Sequence, residues 1–330
     1  MNTFGKKLRL TTFGESHGKA MGGILDGVPA GIQLSMEIIE RETARRRPGQ
    51  SALVTARNEK DIPEFLSGLT DGMVTLGTPI AFMVRNTDQH SSDYADMERL
   101  YRPNHADYTY DMRYGIRDPR GGGRSSARET LNWVIGGAVA RQLPCMAGIS
   151  IAARIVSVGG VADSMEEMMK VVAQAKKDGD SVGGVVECVV SGLPAGLGNP
   201  VFGKLHARLA EAMMSINAAK GFEYGDGFAA ASQHGTEQAD IFTSQDGKIT
   251  TLSNHSGGIQ GGISNGQDIV MRIAFKPTPT LLRDLPTVDK AGHPATLRAK
   301  GRHDPCVALR AVPVVEAMAA LTLADMLLER

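Results

Sequence analysis

The chain has 330 residues, enough to bury a large hydrophobic core in one domain or two. Its 36 Lys and Arg residues balance its 36 Asp and Glu residues, so no global field attracts nucleic acid or a membrane surface. No apolar run is long enough for a signal peptide or a membrane span, and the three cysteines are too far apart for metal-type spacing. We therefore expect a cytoplasmic protein with reduced thiols, without nucleic-acid or membrane partners, whose anion binding comes from local arginine clusters.

The first predicted element is a strand over residues 7–13, where KLRLTTF alternates between apolar and polar positions. It runs into the loop GESHG. Glycines on both sides of His17 suit close approach of the backbone to a ligand, and histidine, with an ordinary pKa of about 6.5, is a usable acid at neutral pH. A surface loop histidine is the alternative.

A helix is predicted over residues 35–47, opened by Ser35 and stopped by a Pro-Gly pair. Cations in a last turn complement the helix dipole, which is one explanation for its arginines. Consecutive side chains also point around a helix, so at least one is expected to face a neighbouring cleft. The three arginines are Arg45, Arg46 and Arg47.

A buried strand is predicted over residues 80–86, followed by a long irregular stretch that contains RPNHADYTY. Irregular segments of this length are usually functional or disordered, and the tyrosines argue against disorder. His105 has Arg102 and Asp107 close in sequence, and either could hold its ring. A plain packed loop is the alternative.

The strongest local signal is RDPRGGGRSSARET at residues 117–130. Ser126 and Glu129 have the spacing of a capping box and predict a helix over residues 126–143. The glycines ahead of it let the backbone approach a ligand, and the free N–H groups of the helix start favour negative charge. Forked donors for phosphate or carboxylate are available from Arg120, Arg124 and Arg128. The segment predicts a phosphate site, with a flexible turn before a capped helix as the alternative.

The second half of the chain is predicted to alternate strands with helices. The strands cover residues 149–158, 183–191 and 268–276, and the helices cover residues 164–177 and 200–216. A last, apolar helix is predicted to start with Pro313 at its first position.

Glycine-rich turns or loops are predicted at residues 215–228 and 253–266. The stretch KPTPT stiffens the chain and presents Lys276 and hydroxyl groups, and GRHDPC puts Asp304 in a turn, where Asp before Pro is common for structural reasons alone. These patterns indicate a mixed α/β protein. Since H-E-x-x-H, P-loop and G-x-S-x-G motifs are absent, metal hydrolysis, Walker-type phosphoryl transfer and serine-hydrolase chemistry have no support, and no metal site is predicted.

Eight motifs, in this order and spacing, resemble the chorismate synthase family: TTFGESHG, RRRPG, RPNHADYTY, GGGRSSARET, SINAAKG, GGIQGGISNG, KPTPT and GRHDPC. The resemblance spans nearly the whole chain. It implies one α+β domain over residues 1–330, with helices sandwiched between antiparallel β-sheets, assembled as a homotetramer. It also implies a lyase that eliminates phosphate (anti-1,4) from 5-enolpyruvylshikimate 3-phosphate to give chorismate, the last step of the shikimate pathway to aromatic amino acids. Reduced FMN is required, with no net redox change.

The resemblance also implies roles for individual residues. It makes His17 the acid beside the leaving phosphate, His105 the group that sets the protonation of the reduced flavin, and Asp304 the partner of the flavin in removing the ring proton. The arginines that bind substrate fall on Arg45, Arg46, Arg47 and Arg128. The FMN contacts fall on Arg124, Ser125, Ser126, Asn217, Ala218, Gly261, Lys276, Pro277, Thr278, Pro279, Thr280 and Arg302.

Two positions depart from the family pattern. Many members carry an arginine, assigned to pyridine-nucleotide (NADP) contact, where this chain has Ala52, so an external flavin reductase is expected to supply electrons. The chain also stops at Arg330, where many relatives are expected to run on for tens of residues. Two other classes compete: an FMN-dependent oxidoreductase, which would use up reduced flavin, and a polyanion binder, which the balanced charge disfavours.

Overall fold

The computed structural model describes residues 1–47, 61–86, 98–298 and 304–330. In these residues an N-terminal antiparallel sheet has the spatial order β1-β2-β3-β5-β4, with the strands β1 (Thr3–Phe4), β2 (Arg9–Gly14), β3 (Ala20–Asp26), β4 (Glu64–Phe65) and β5 (Ile80–Arg85). A second antiparallel sheet has the order β6-β7-β13-β8, with the strands β6 (Ser150–Val158), β7 (Gly184–Ser191), β8 (Ala219–Tyr224) and β13 (Ile269–Phe275).

Three small hairpins complete the described strands. They are β9 (Phe242–Gln245) with β10 (Lys248–Thr251), β11 (Ile259–Gln260) with β12 (Ile263–Ser264), and β14 (Asp284–Val288) with β15 (Pro294–Arg298). The described helices are α1 (Met36–Arg46), α2 (Asp107–Tyr114), α3 (Thr130–Ala140), α4 (Met165–Lys177), α5 (Leu205–Met214) and α6 (Ala308–Leu328).

α3 and α6 form a layer between the two sheets. α3 packs on β2 and β3 of the first sheet, whereas α6 packs on β6 and β7 of the second, and α3 and α6 pack on each other. α6 is long and apolar enough to cross a membrane by length and composition, but 83% of that window is buried inside the protein. A helix that is apolar all round is typical of such a core position. The expected α+β sandwich with antiparallel sheets is thereby confirmed.

Charged residues cross the second sheet in one row. The strand register aligns Arg154, Glu187, Arg272 and Glu223 across its four strands. Arg154 and Arg272 both donate to the Glu187 carboxylate, at 2.8 and 3.0 Å. Cross-strand pairs of opposite charge stabilise a sheet, and this row marks the face of the sheet that does not pack against α6.

Several helix and strand bounds match the sequence prediction. Ser35 caps α1 by accepting the N–H of Ile38, and Ser164 caps α4 by accepting the N–H of Glu167. The predicted strands at residues 7–13, 80–86, 149–158, 183–191 and 268–276 correspond to β2, β5, β6, β7 and β13. The three cysteines are free, as expected.

The capping box was wrong. The Ser126 hydroxyl accepts the N–H of Arg128, and the Glu129 carboxylate accepts from Arg124 at 2.6 Å and from the Trp133 indole at 3.3 Å. Because Glu129 is engaged by these side chains, it does not cap the helix. The chain makes two short 3₁₀ turns, Gly123–Ser125 and Ala127–Glu129, before α3 begins at Thr130.

Three other predicted bounds were also wrong. α5 begins at Leu205 and not at residue 200, because Gly203 takes a left-handed φ of 81° that ends the preceding turn. Residues 219–224 form the edge strand β8, where pairing to β13 decides the conformation of a glycine-containing sequence. α6 begins five residues before Pro313: burial of its apolar side chains outweighs the roughly 3 kcal/mol that an internal proline costs.

Candidate active site

The loop after β2 buries His17 against the glycine loop. His17 is 5% exposed, and its Nδ1 lies 3.1 Å from the Ser16 hydroxyl. Gly121 packs on this ring: a Cβ added there would lie 2.5 Å from the His17 Nδ1, and its φ of 85° also favours glycine. The Asn86 amide donates to the Glu15 and Gly18 carbonyls at 3.1 and 2.9 Å, which fixes the loop to the end of β5. The GESHG and GGGRSSARET motifs therefore lie in contact.

Asp107 holds the imidazole of His105. The His105 Nδ1 lies 2.9 Å from Asp107 Oδ1, and Arg102 makes a fork of two 2.7 Å hydrogen bonds to the same carboxylate. Burial raises the pKa of Asp107, but the hydrogen bonds from Arg102 and His105 outweigh it and hold the pKa well below its usual range. Burial also lowers the pKa of His105 despite the raising effect of Asp107. Since Arg102 donates to the Gly121 carbonyl at 3.1 Å, the His105 loop is attached to the glycine loop as well.

Arg46, the last residue of α1, lies in a cluster of arginines and aspartates. Its side chain is 3% exposed; it donates to the Ala127 carbonyl at 2.5 Å and to the Thr130 hydroxyl at 3.1 Å. Arg310 donates to the Arg46 carbonyl at 3.2 Å and pairs with Asp304 at 2.7 Å. Burial, and then the proximity of Arg310, lowers the pKa of Arg46. The cluster places two guanidinium groups and one carboxylate side by side.

A small cavity of about 20 Å³ lies between these groups and the loop after α5. Arg46, Asn217, Asp304 and Arg310 all line it. The buried Arg46 Nη1 and Asn217 Oδ1 have no hydrogen-bond partner. Buried polar groups are normally paired, so these two atoms mark a place where a polar ligand atom or a water belongs.

The predicted flavin segments contact one another beside this cavity. The Asn217 amide donates to the Ser125 carbonyl at 2.8 Å, and the Lys276 N–H donates to the Ala218 carbonyl at 2.9 Å. Lys276 Nζ donates to the Asn104 carbonyl at 2.6 Å, next to His105. The KPTPT segment, which contains Pro277 and Pro279, is joined to Asp304 because the Thr278 hydroxyl donates to the Asp304 carbonyl at 2.8 Å, and Thr280 is buried.

A large cleft of about 910 Å³ opens on the other side of the glycine loop. Its wall includes His105, Gly121 to Ser125 and the aromatic rings of Phe4, Tyr110, Tyr114 and Trp133. Its volume is that of a cofactor-sized site. Carboxyl groups of Glu15 and Glu129 also line it, and burial raises the pKa of both.

Four of the predicted anion ligands lie elsewhere or are already paired. Arg45 binds Glu316 at 2.6 and 2.9 Å and Glu42 at 2.6 Å, which raises its pKa, and Arg47 is exposed at the helix end. Arg120 is exposed and paired with Asp118 at 2.7 Å. Arg124 donates to Glu129 at 2.6 Å and to the Thr12 hydroxyl at 2.7 Å, so its fork is engaged by protein groups.

Gly261 is not brought to the other flavin residues within one chain. Its neighbour Gly262 accepts the N–H of Leu205, at the start of α5, whereas Asn217 follows the end of that helix. A ten-residue helix is about 15 Å long, which separates the two positions. The predicted Arg302, like Pro48, Gly49 and Ala52, lies outside the described residues.

Three residues of this region were missed by the sequence interpretation. Asn86 Oδ1 accepts from Arg128 Nε at 2.7 Å, Asp61 Oδ1 accepts from Arg128 Nη2 at 3.1 Å, and Arg310 pairs with Asp304. Asn86 directly follows a strand and Arg310 lies inside a helix, and neither position has a sequence pattern that predicts a site. Asp61 follows a polar stretch without periodicity.

The family model described as chorismate synthase matches residues 8–328. A chorismate synthase of Bacteroides fragilis is 53% identical over 347 aligned positions, covering 98% of this chain and 97% of the relative, and one of Porphyromonas gingivalis is 55% identical, covering 98% and 95%. These two relatives are thus matched over nearly their whole length, which gives no support to the expected long tail.

A crystal structure of a chorismate synthase superposes with a TM-score of 0.77 at 33% identity, covering 99% of this chain and 93% of the other. The family model, the relatives and the fold thus agree over almost all of the sequence. The chain belongs to the chorismate synthase family.

Proposed function

We propose that this protein is a chorismate synthase that converts 5-enolpyruvylshikimate 3-phosphate to chorismate and phosphate by anti-1,4-elimination. Family membership makes it an enzyme with a role in the shikimate pathway. The observation that carries the reaction is the convergence of Arg46, Arg310 and Asp304 on one cavity, together with the buried Nη1 of Arg46, which has no hydrogen-bond partner. Two guanidinium groups that can bind an anionic leaving group thus lie next to a carboxylate that can accept a proton.

Arg46 and Arg128 are the substrate-binding arginines of this proposal, and Arg310 joins them. Buried guanidinium groups interact strongly with phosphate, because water does not screen them and their forked donors match its oxygens. Donors held in place before the reaction stabilise the charge that grows on the leaving phosphate. Arg45 and Arg47 are not included, because Arg45 is engaged by Glu42 and Glu316 and Arg47 is exposed.

His17, His105 and Asp304 are the acid–base residues of this proposal. His17 is buried on a loop that Asn86 connects to Arg128, which supports a proton donor beside the leaving phosphate. The Arg310 ion pair fixes the direction of the Asp304 carboxylate, so that it can accept a ring proton from a substrate on the cavity side. His105, held by Asp107 and with a lowered pKa, is suited to a neutral imidazole beside the flavin.

The described residues fit FMN. The Lys276 ammonium, which keeps N–H donors beyond its hydrogen bond to Asn104, and the Thr280 hydroxyl are donors suited to a phosphate group, and the unpaired Asn217 Oδ1 can accept from a ring N–H. We propose that Ser125, Ser126, Asn217, Ala218 and residues 276–280 hold the cofactor, with Arg124 behind Ser125 and Arg302 as a further contact. Reduced FMN, when bound, supplies electron density that eases the departure of phosphate.

Further expectations extend this proposal to the assembled protein. They are that residues 1–330 form one domain, that the chains assemble as a homotetramer, and that the enzyme works in the cytoplasm. Ala52 stands where many family members have the arginine assigned to NADP contact, so an external flavin reductase is proposed as the electron source.

The test is an anaerobic assay with FMN reduced by dithionite and kept far below the substrate concentration. Chorismate and phosphate should form in equal amounts over many turnovers per flavin, because the reaction has no net redox change. An FMN-dependent oxidoreductase would stop after one turnover with its flavin oxidised. No product from protein that binds flavin would contradict the proposed activity.

A further inference from the structure

Asp61 is a buried carboxylate between two of the proposed substrate arginines. Its side chain is 0% exposed, its Oδ1 accepts from Arg128 Nη2 at 3.1 Å, and its Oδ2 lies 3.7 Å from Arg46 Nη1. It thereby bridges the end of α1 and the turn before α3. Its φ of 51° is in the left-handed region, which is uncommon for a residue other than glycine, so its surroundings hold it in place.

Asp61 lies among several guanidinium groups. Arg46 is close to Arg310 and Arg128, and Asp61 and Asp304 are the carboxylates that act on it. Asp304 is paired with Arg310. Among the described residues, Asp61 is the carboxylate that contacts both Arg46 and Arg128.

Hydrogen bonding around Asp61 is incomplete in a specific way. Asp61 Oδ2 and Arg46 Nη1 both lack a partner within hydrogen-bond distance, although both atoms are buried. The carboxylate therefore attracts the Arg46 guanidinium without occupying that donor. In a bidentate ion pair the Arg46 Nη1 would donate to the carboxylate. Here it does not, so this N–H donor is left for a ligand.

We propose that Asp61 is a positioning residue, which holds the guanidinium groups of Arg46 and Arg128 side by side so that both can bind one anionic group of the substrate. The inference rests on the proposed function, because it assigns those arginines to the substrate. Asp61 itself does not touch the substrate in this proposal. Its role is to offset the repulsion between two buried cations and to fix their directions.

The test uses inorganic phosphate as the probe and FMN-free protein, so that binding is read without turnover. Isothermal titration calorimetry should show that Asp61→Asn weakens phosphate binding by at least about tenfold, because the two guanidinium groups lose their shared charged acceptor. Unchanged or tighter binding would overturn the proposal, since Asp61 would then only reduce the positive charge of the site. A wild-type protein that binds no phosphate would overturn it as well.

Asp325→Asn is the matched control. Asp325 is also 0% exposed and paired with an arginine, Arg208, but it accepts the N–H groups of residues 6–8 and lines neither cavity described above. This variant should lose thermal stability and keep phosphate affinity within about twofold of wild type. Weakening of equal size in both variants would mean that general destabilisation, and not positioning, explains the effect.

Asp61→Glu covers the case in which Asp61→Asn does not fold. It keeps the negative charge but moves the carboxylate by one methylene, so a positioning role predicts weaker phosphate binding and a charge-only role predicts wild-type binding. In turnover assays the substrate KM should rise more than kcat falls in either variant. If the wild type fails to make chorismate but the Asp61 variants still bind phosphate more weakly than the wild type, the proposed function fails and the positioning role stands. If the wild type makes chorismate and the variants bind phosphate as the wild type does, the positioning role fails and the proposed function stands.

Discussion

At the scale of single residues, His105 shows two opposed influences on one side chain. Burial lowers its pKa below the ordinary value, and the hydrogen bond to Asp107 raises it, with burial the larger effect. The folded protein therefore prefers the neutral imidazole. A neutral ring that Asp107 orients can accept or relay a proton at neutral pH, which is what the proposed place beside the flavin requires.

We expect NMR of ¹³C-labelled histidine to give His105 a titration midpoint below about 6.5, with the signal assigned by its loss in His105→Gln. Because the unfolded chain takes up this proton at a higher pH than the folded chain does, the contribution of His105 to stability should fall as the pH drops through 6.5 and below. A midpoint above 6.5 would show that Asp107, and not burial, controls the ring.

At the scale of elements, the packing of α3 on α6 depends on Gly137. A Cβ added at Gly137 would lie 2.5 Å from the Ala317 Cβ and 2.6 Å from its Cα, closer than real side chains approach. The contact matters for the site because the first residue of α3, Thr130, accepts a hydrogen bond from Arg46, and α6 contains Arg310.

Gly137→Ala should destabilise the protein by about 1–3 kcal/mol, because the overpacking cost exceeds the gain of up to about 1 kcal/mol in helix propensity. Equilibrium urea unfolding followed by circular dichroism measures the change. Gly235→Ala is the control, since an added Cβ there meets nothing within 4 Å. A stabilised Gly137→Ala would mean that the two helices separate at little cost.

At the scale of the whole molecule, local patterns predicted the elements better than their assembly. Ser35 predicted the start of α1 because a cap acts on the residues that follow it directly. The start of α6 and the strand β8 were missed because burial against distant residues, and pairing with β13, decide them. Antiparallel sheets around a helical layer came from family resemblance and not from periodicity.

For the candidate site too, local motifs predicted some residues, whereas others depend on how distant elements assemble. Motifs identified His17, His105, Lys276 and Asp304 because glycine, proline and charge mark loops in sequence. The sequence did not predict Asp61 and Arg310, because their contacts with Arg46 form only when α1, α6 and the turn before α3 are assembled. Conversely, Arg45 carries the same local pattern as Arg46 but points to Glu316, because consecutive helical residues face different directions.

The reaction site is tested most directly by the turnover of Asp304→Asn with reduced FMN bound. We expect FMN affinity, measured by flavin fluorescence, to stay within about twofold of wild type, while turnover falls by about a hundredfold or more, because the carboxylate proposed to accept the ring proton is lost. Asp163→Asn, an exposed position before α4, should keep wild-type turnover. Wild-type turnover in Asp304→Asn would contradict the assignment of the cavity beside Arg46 and Arg310 as the place where the proton is removed.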